Sequence, residues 1–182
     1  MASLEFAKNK MTLNYRVDWQ TPDKYLDAAR AVLGEIDLDP GSNDRANERV
    51  RAKQIYTRHD SCLEHVWQGK VWMNPAYTLL PEMTDKLIRS HRLGNVPEAL
   101  FMTHTKTVWD KWFQDATIAC DAVCFVNELV EWFPGHLIDL ERSHLGINFA
   151  GPTYDERGTV IFYFGKNIDK FKKHFIQFGA IR

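Results

Sequence analysis

The residues best suited to chemistry are Asn74-Pro75-Ala76-Tyr77, which follow directly on the apolar run Val71-Trp72-Met73. An exocyclic amine on an aromatic ring is a poor nucleophile, because its lone pair is delocalised into the ring. The Asn74 side-chain oxygen and the Pro75 carbonyl can accept both N–H protons of such an amine and draw its nitrogen towards tetrahedral geometry. Neither group titrates, so this is positioning and electrostatics rather than general-base catalysis. Tyr77 offers a face for the ring itself, and aromatic stacking is worth roughly 1–3 kcal/mol per base. A base inside a duplex is unreachable and has to be rotated out first. The plain alternative is a strand running into a β-turn that Asn74 and Pro75 merely begin.

Such a turn needs a buried strand to deliver it and neighbouring elements to wall it in. Ala99-Leu100-Phe101-Met102, Ala122–Val126 and Thr159–Phe164 are further runs of strand character, the first leading into the hydroxyl-rich Thr103-His104-Thr105-Lys106-Thr107. Between them lie helical patterns. Tyr25, Leu26, Ala29, Val32 and Leu33 recur at helical spacing, with Thr21 expected as cap, Pro22 as first helical residue and Gly34 as stop. Pro81 starts a helix with Met83, Leu87 and Ile88 on one face and Gly94 at its end. Trp109, Trp112, Phe113 and Ala116 suggest another, and Ile168, Phe171, Phe175 and Phe178 a last one closed by Gly179. Strands alternating with helices predict an α/β fold with a mainly parallel central sheet flanked by helices. The segment from Val130 to Tyr154 mixes aromatic and turn residues and carries no clear pattern.

Glu35-Ile36-Asp37-Leu38 reads as a short strand ending in Asp39-Pro40-Gly41-Ser42-Asn43-Asp44. A strand that ends in a small-residue, acidic loop suits a nucleoside, since open α/β sheets bind ligands beyond the carboxyl ends of their strands. With a single glycine there, an ordinary strand-to-helix turn is an equal reading. Arg45 to Arg58 is the densest basic stretch; a solvated surface is its bland reading and a phosphate contact its functional one.

The 182 residues, 45% of them apolar, suffice for one domain with a full core, expected over 18–182 behind an N-terminal arm of 1–17. A net charge of -1 gives no global attraction to nucleic acid, so any such contact must be local. Cys62, Cys120 and Cys124 have neither paired nor metal-ligand spacing, which predicts free thiols, no metal and a reducing, cytoplasmic setting. No apolar run reaches the roughly 18 residues of a membrane span, and no signal pattern opens the chain.

With its flanking motifs, the sequence resembles the phage and prophage DNA N-6-adenine methyltransferases, a Dam-like family of small S-adenosylmethionine-dependent enzymes. The resemblance lies in Asp18-Trp19-x-Thr21-Pro22, Ile36-Asp37-Leu38-Asp39-Pro40 followed by Asn47, Trp67-x-Gly69-x-Val71-Trp72-x-Asn74-Pro75-x-Tyr77, Thr105-x-Thr107-x-Trp109 with Trp112-Phe113, and Phe162-Tyr163-Phe164-Gly165. It implies a single-domain, Rossmann-like methyltransferase fold, and methyl transfer to the N-6 amine of a flipped adenine in double-stranded DNA. Asn74, Pro75 and Tyr77 would form the target-base pocket. Thr21 and Pro22, at a helix start, would hold the methionine carboxylate of S-adenosylmethionine; Asp39, Pro40 and Asn74 would face the cofactor, and Asp60 would lie near its adenine. The loop of Thr105, Lys106, Thr107 and Trp109 would lie towards DNA, and Arg45 and Arg49 of the basic stretch are the candidates to join it there. A phage or prophage origin in a bacterial cytoplasm follows from the same resemblance, with restriction-modification as a setting and a homodimer as a way for a small domain to span its site.

Two positions depart from the family pattern. Ala76 stands where a second proline is usual, which predicts a less rigid loop, and Glu128-Leu129 stands where a Gly-Arg pair is common, which places a negative charge where phosphate is expected. These keep two other readings open. One is a methyltransferase fold that binds cofactor, DNA or a host protein without turnover; the other is an amine methyltransferase acting on cytosine N-4 or a protein glutamine.

Overall fold

The computed structural model describes residues 19–134, 153–154 and 158–182. The expectations for the N-terminal arm, for Asp18 and for most of the stretch between Pro134 and Thr153 lie outside the described residues. In chain order the strands are β1 (Trp19–Gln20), β2 (Leu38–Asp39), β3 (Gln54–Ile55), β4 (Val71–Met73), β5 (Ala99–His104), β6 (Ala122–Val126), β7 (Glu131–Pro134), β8 (Thr153–Tyr154), β9 (Thr159–Phe164) and β10 (Gly179–Ile181). The helices are α1 (Asp23–Leu33), α2 (Asp44–Val50), α3 (Leu80–Arg92), α4 (Lys111–Ala119) and α5 (Ile168–Phe175).

Seven strands form one sheet in the order β10-β6-β9-β5-β4-β2-β3. The pairs β3–β2, β2–β4 and β4–β5 are parallel. Strand β9 is antiparallel to both β5 and β6, so β6 points with the parallel set, and β10 is reversed again. β4 is therefore an interior strand, buried throughout, as delivery of Asn74 to the carboxyl edge requires. A separate three-stranded sheet, β1-β7-β8, accounts for part of the stretch that has no pattern in sequence.

Side-chain alternation divides the core into two layers. Trp72, Leu100, Met102, Ile161 and Tyr163 face α1 and α5, where they meet Tyr25, Leu26, Ala29, Phe171 and Phe175. Val71, Met73, Phe101, Val160 and Phe162 face α3 and α4, among Met83, Leu87, Trp112 and Phe113. The sheet is thus covered on both faces, which accounts for its near-continuous apolar strands. On the edge away from the parallel strand ends, buried Glu98 accepts hydrogen bonds from Tyr163 Oη at 2.6 Å and Asn167 Nδ2 at 2.9 Å, locking the end of β9 to the start of β5.

Several expectations need correction. Thr21 does not cap α1: Pro22 is the residue before the helix, with ψ at 142°, and no side chain caps it. Residues 44–50 form a helix, capped by Asn43 Oδ1 accepting from Ala46 N at 2.9 Å. Only Val50 of that helix is buried, so it has no apolar stripe to betray it. Trp109 is not on the face of α4; that helix begins at Lys111, and Trp109 is 73% exposed in the loop before it. β5 does not stop at Met102 but continues through His104, paired with Thr159. In β6 the apolar run does not mean full burial, since Phe125 is 43% exposed. Gly179 is not a helix stop but the first residue of β10, following a 3-10 turn over Ile176–Phe178. Gly34 and Gly94 do end α1 and α3, each with φ of 81°.

Candidate active site

The site grows out of the alternation of β4 and its neighbours. Met73 points to the α3 and α4 layer, so the next residue, Asn74, turns to the α1 face at the strand's carboxyl end. There its Nδ2 donates to Thr21 Oγ1 at 3.1 Å, just before α1. This bond is what Thr21, 6% exposed, does in place of capping. With Nδ2 committed, the Asn74 Oδ1 is left as the acceptor.

On β2 the same alternation sends Leu38 to one layer and Asp39 to the α1 face. Asp39 is 4% exposed and accepts from Gly41 N at 3.2 Å. Pro40 carries the chain into that bend. A methyl group added at Gly41 would stand 3.5 Å from Pro75 Cα and 3.3 Å from Met83 Cε. The loop after β2 therefore lies against the turn after β4. Ser42 Oγ is buried beside the Asp39 carboxyl, near enough to draw on it but without a well-formed hydrogen bond to any group. Burial pushes the Asp39 carboxyl up to about 6, against the opposing pull of the Gly41 N–H and the Ser42 hydroxyl.

That shift has a thermodynamic sign. An acid with its folded pKa raised keeps a proton that the unfolded chain releases near 3.8, so its contribution to stability falls as pH rises from about 4 through 6. Asp39→Asn keeps an acceptor for Gly41 and removes the buried charge. Thermal scans of the ligand-free protein should show the Asp39→Asn variant melting higher than wild type at pH 8 and level with it at pH 4. Equal shifts at both pH values would contradict the assignment.

Pro75 leads to Ala76, whose φ of -58° and ψ of 142° are those a proline would hold. The loop keeps its proline-like course without the second ring. Tyr77 opens a 3-10 turn over Tyr77–Leu79 and is 46% exposed, and its ring meets that of His104 in a T-shaped contact at 4.5 Å between centroids and 72° between planes.

The remaining residues singled out in sequence are placed around this group rather than in it. Asp60 is exposed in a turn beyond β3, where Thr57 donates from Oγ1 at 2.8 Å and from N at 3.3 Å; these bonds hold its carboxyl below the usual range. Arg45 is exposed on α2. Arg49 is tied to Asp23 at 2.9 Å and to Gln20 at 3.2 Å, which braces α2 against the start of α1. Asn47 is structural: its amide donates to Ala52 O and accepts from Ala52 N. In the loop after β5, Lys106 and Trp109 are exposed, Thr105 and Thr107 half-buried, and Thr107 Oγ1 is buried without a hydrogen-bond partner.

Glu128 is engaged from two sides. Its Oε1 accepts from Lys24 Nζ and from Tyr25 Oη, both at 2.6 Å. The Lys24 bond first, and the Tyr25 bond second, hold its carboxyl below the usual value. The negative charge seen in sequence thus faces a lysine of α1, and the departure at this position reads as an internal brace. Cys62 and Cys124 are buried free thiols and Cys120 a half-buried one; burial raises the latter two to about 11. No helix among the described residues is long and apolar enough to cross a membrane.

A parallel-centred sheet with helices on both faces, and three loops meeting at its carboxyl edge, define a Rossmann-like methyltransferase fold. The family described as DNA N-6-adenine-methyltransferase (Dam) matches residues 8–150, and the chain belongs to that family. The Phe162–Gly165 block lies beyond the matched region. No curated protein gives a significant match.

Proposed function

We propose that the chain is an S-adenosylmethionine-dependent enzyme that methylates the N-6 amine of an adenine rotated out of double-stranded DNA. The observation that carries this reading is the Asn74 Nδ2–Thr21 Oγ1 bond, which presents Asn74 Oδ1 as an acceptor at the carboxyl end of an interior strand. The bond fixes the amide before substrate arrives, so little reorganisation is needed at the moment of transfer. Asn74 Oδ1 and the Pro75 carbonyl hold the two amine protons, and Tyr77 stacks on the ring. Stacking worth roughly 1–3 kcal/mol offsets part of an unstacking cost of a few kcal/mol.

The residues present fit the cofactor. Pro22 has no N–H, and Tyr25 N already donates to Pro22 O at 3.1 Å, so the N–H groups of Asp23 and Lys24, which have no carbonyl a turn earlier, are the ones that suit the methionine carboxylate. The Asp39-Pro40-Gly41-Ser42 loop, with its poorly bonded Ser42 hydroxyl, suits a polar nucleoside, and Asp60 stands beyond the neighbouring strand for the adenine end. Bound there, S-adenosylmethionine supplies an electrophilic methyl group. Towards DNA we place Arg45, Lys106, Thr105, Thr107 and Trp109; Arg49 serves that surface indirectly, by holding α2 to α1.

The engagement of Glu128 by Lys24 and the proline-like course of Ala76 support turnover over a binding-only role. The experiment incubates purified protein and tritiated S-adenosylmethionine separately with unmethylated plasmid DNA, RNA and a glutamine-containing protein. Label recovered as N6-methyladenine in DNA is the expected result. Label as N4-methylcytosine or in protein would reassign the acceptor, and binding without label in any arm would make the chain a non-catalytic module.

A further inference from the structure

We propose that His104 is a positioning residue that presets the plane of Tyr77 for the incoming base; this rests on the DNA reading above. β5 runs on to His104, and Leu100 and Met102 of that strand face the α1 layer with Trp72. By strict alternation His104 continues the same row, on the side to which Asn74 and Asp39 also turn. The His104 backbone pairs with Thr159 in the ladder and the residue is 6% exposed, so the sheet fixes its backbone and burial confines its ring.

Tyr77 stands on a much shorter element. It begins a three-residue 3-10 turn and is 46% exposed. The ring contact at 4.5 Å and 72° joins the exposed platform to the fixed strand end, in the edge-to-face geometry that aromatic pairs favour. A platform already oriented loses less side-chain freedom when a base arrives. His104 therefore acts on base capture through Tyr77, not on cofactor binding.

The test measures initial rates with tritiated S-adenosylmethionine and unmethylated plasmid DNA for wild type, His104→Ala, His104→Phe, Tyr77→Ala and the double variant. In His104→Ala the KM for DNA should rise about fivefold, the size expected of one lost aromatic pair, while the KM for the cofactor stays unchanged. His104→Phe, which restores a ring, should return the DNA KM to within about twofold of wild type. Adding His104→Ala to Tyr77→Ala should cost nothing further, because a positioning residue has no effect once its target is gone. If His104→Ala does not fold, His104→Gln takes its place, being polar and ringless. An unchanged DNA KM, a parallel loss of cofactor affinity, no recovery in His104→Phe or additive effects in the double variant would each overturn the assignment alone. A wild type that labels no DNA would overturn the DNA reading, and this assignment with it.

Discussion

Asn74→Ala should lower kcat for methyl transfer by roughly 10²–10³-fold, the usual cost of removing one preorganised group that meets developing charge. In the proposed pocket the Asn74 oxygen is one of two acceptors for the amine, and the other, the Pro75 backbone carbonyl, survives mutation. Because Nδ2 is bonded to Thr21 Oγ1 at 3.1 Å, the alanine variant also releases the buried Thr21 hydroxyl, and a modest loss of cofactor affinity should accompany the rate loss. Asn74→Asp separates the two effects. A carboxylate still accepts from the amine, and the Thr21 hydroxyl can turn to donate to it, so this variant should stay within about tenfold of wild type. Single-turnover assays at saturating cofactor, with cofactor affinity measured independently, read both. Full activity in Asn74→Ala would remove Asn74 from the site.

The largest stability effect is expected at Gly179→Ala, on the edge strand β10. A methyl group there would sit 1.8 Å from the Phe125 carbonyl oxygen and 2.8 Å from its carbon, so backbone must move. Gly179 pairs with Val126 at the start of β10, and Asn127 N donates to Phe178 O at 2.9 Å just beside it. Both contacts have to open to admit a side chain. A loss of about 3 kcal/mol follows from overpacking of this kind, which lowers Tm by about 6–12 °C in a domain of this size. Phe178, just before β10, packs on Tyr25 of α1 at 4.7 Å between ring centroids, so a modest rise in the KM for the cofactor should accompany the loss of stability. Calorimetry and the transfer assay on the same sample check both statements, and a Tm shift below about 2 °C would mean that β10 moves aside freely.

Some of this is legible in the sequence, for physical reasons. β4, β5 and β9 are apolar along their length because helices cover both faces, so their runs stand out. α1 and α3 have broad buried stripes, and each is closed by a glycine. By contrast α2 buries one residue, and β1 and β8 are two residues long, too short for any period to register. Around the candidate site, Asn74, Pro75 and Tyr77 stand out as candidates by residue type and order. The bond to Thr21 is not, since a threonine before Pro-Asp looks like a cap until the strand that reaches it is placed. His104 is hidden because its use depends on where β5 ends, and Gly179 because the neighbour that crowds it, Phe125, comes from a strand far earlier in the chain.

Ala76 bears on how this sequence can drift. Its backbone already occupies the dihedral that a proline ring would enforce, so the shape of the pocket is inherited from the chain around it and not from the side chain at that position. Alanine and proline codons differ in one base, and exchange between them here leaves the Pro75 carbonyl, the proposed acceptor, where it stands. The position is therefore an easy crossing in both directions, and a proline missing from it says little about whether a member of this family turns over.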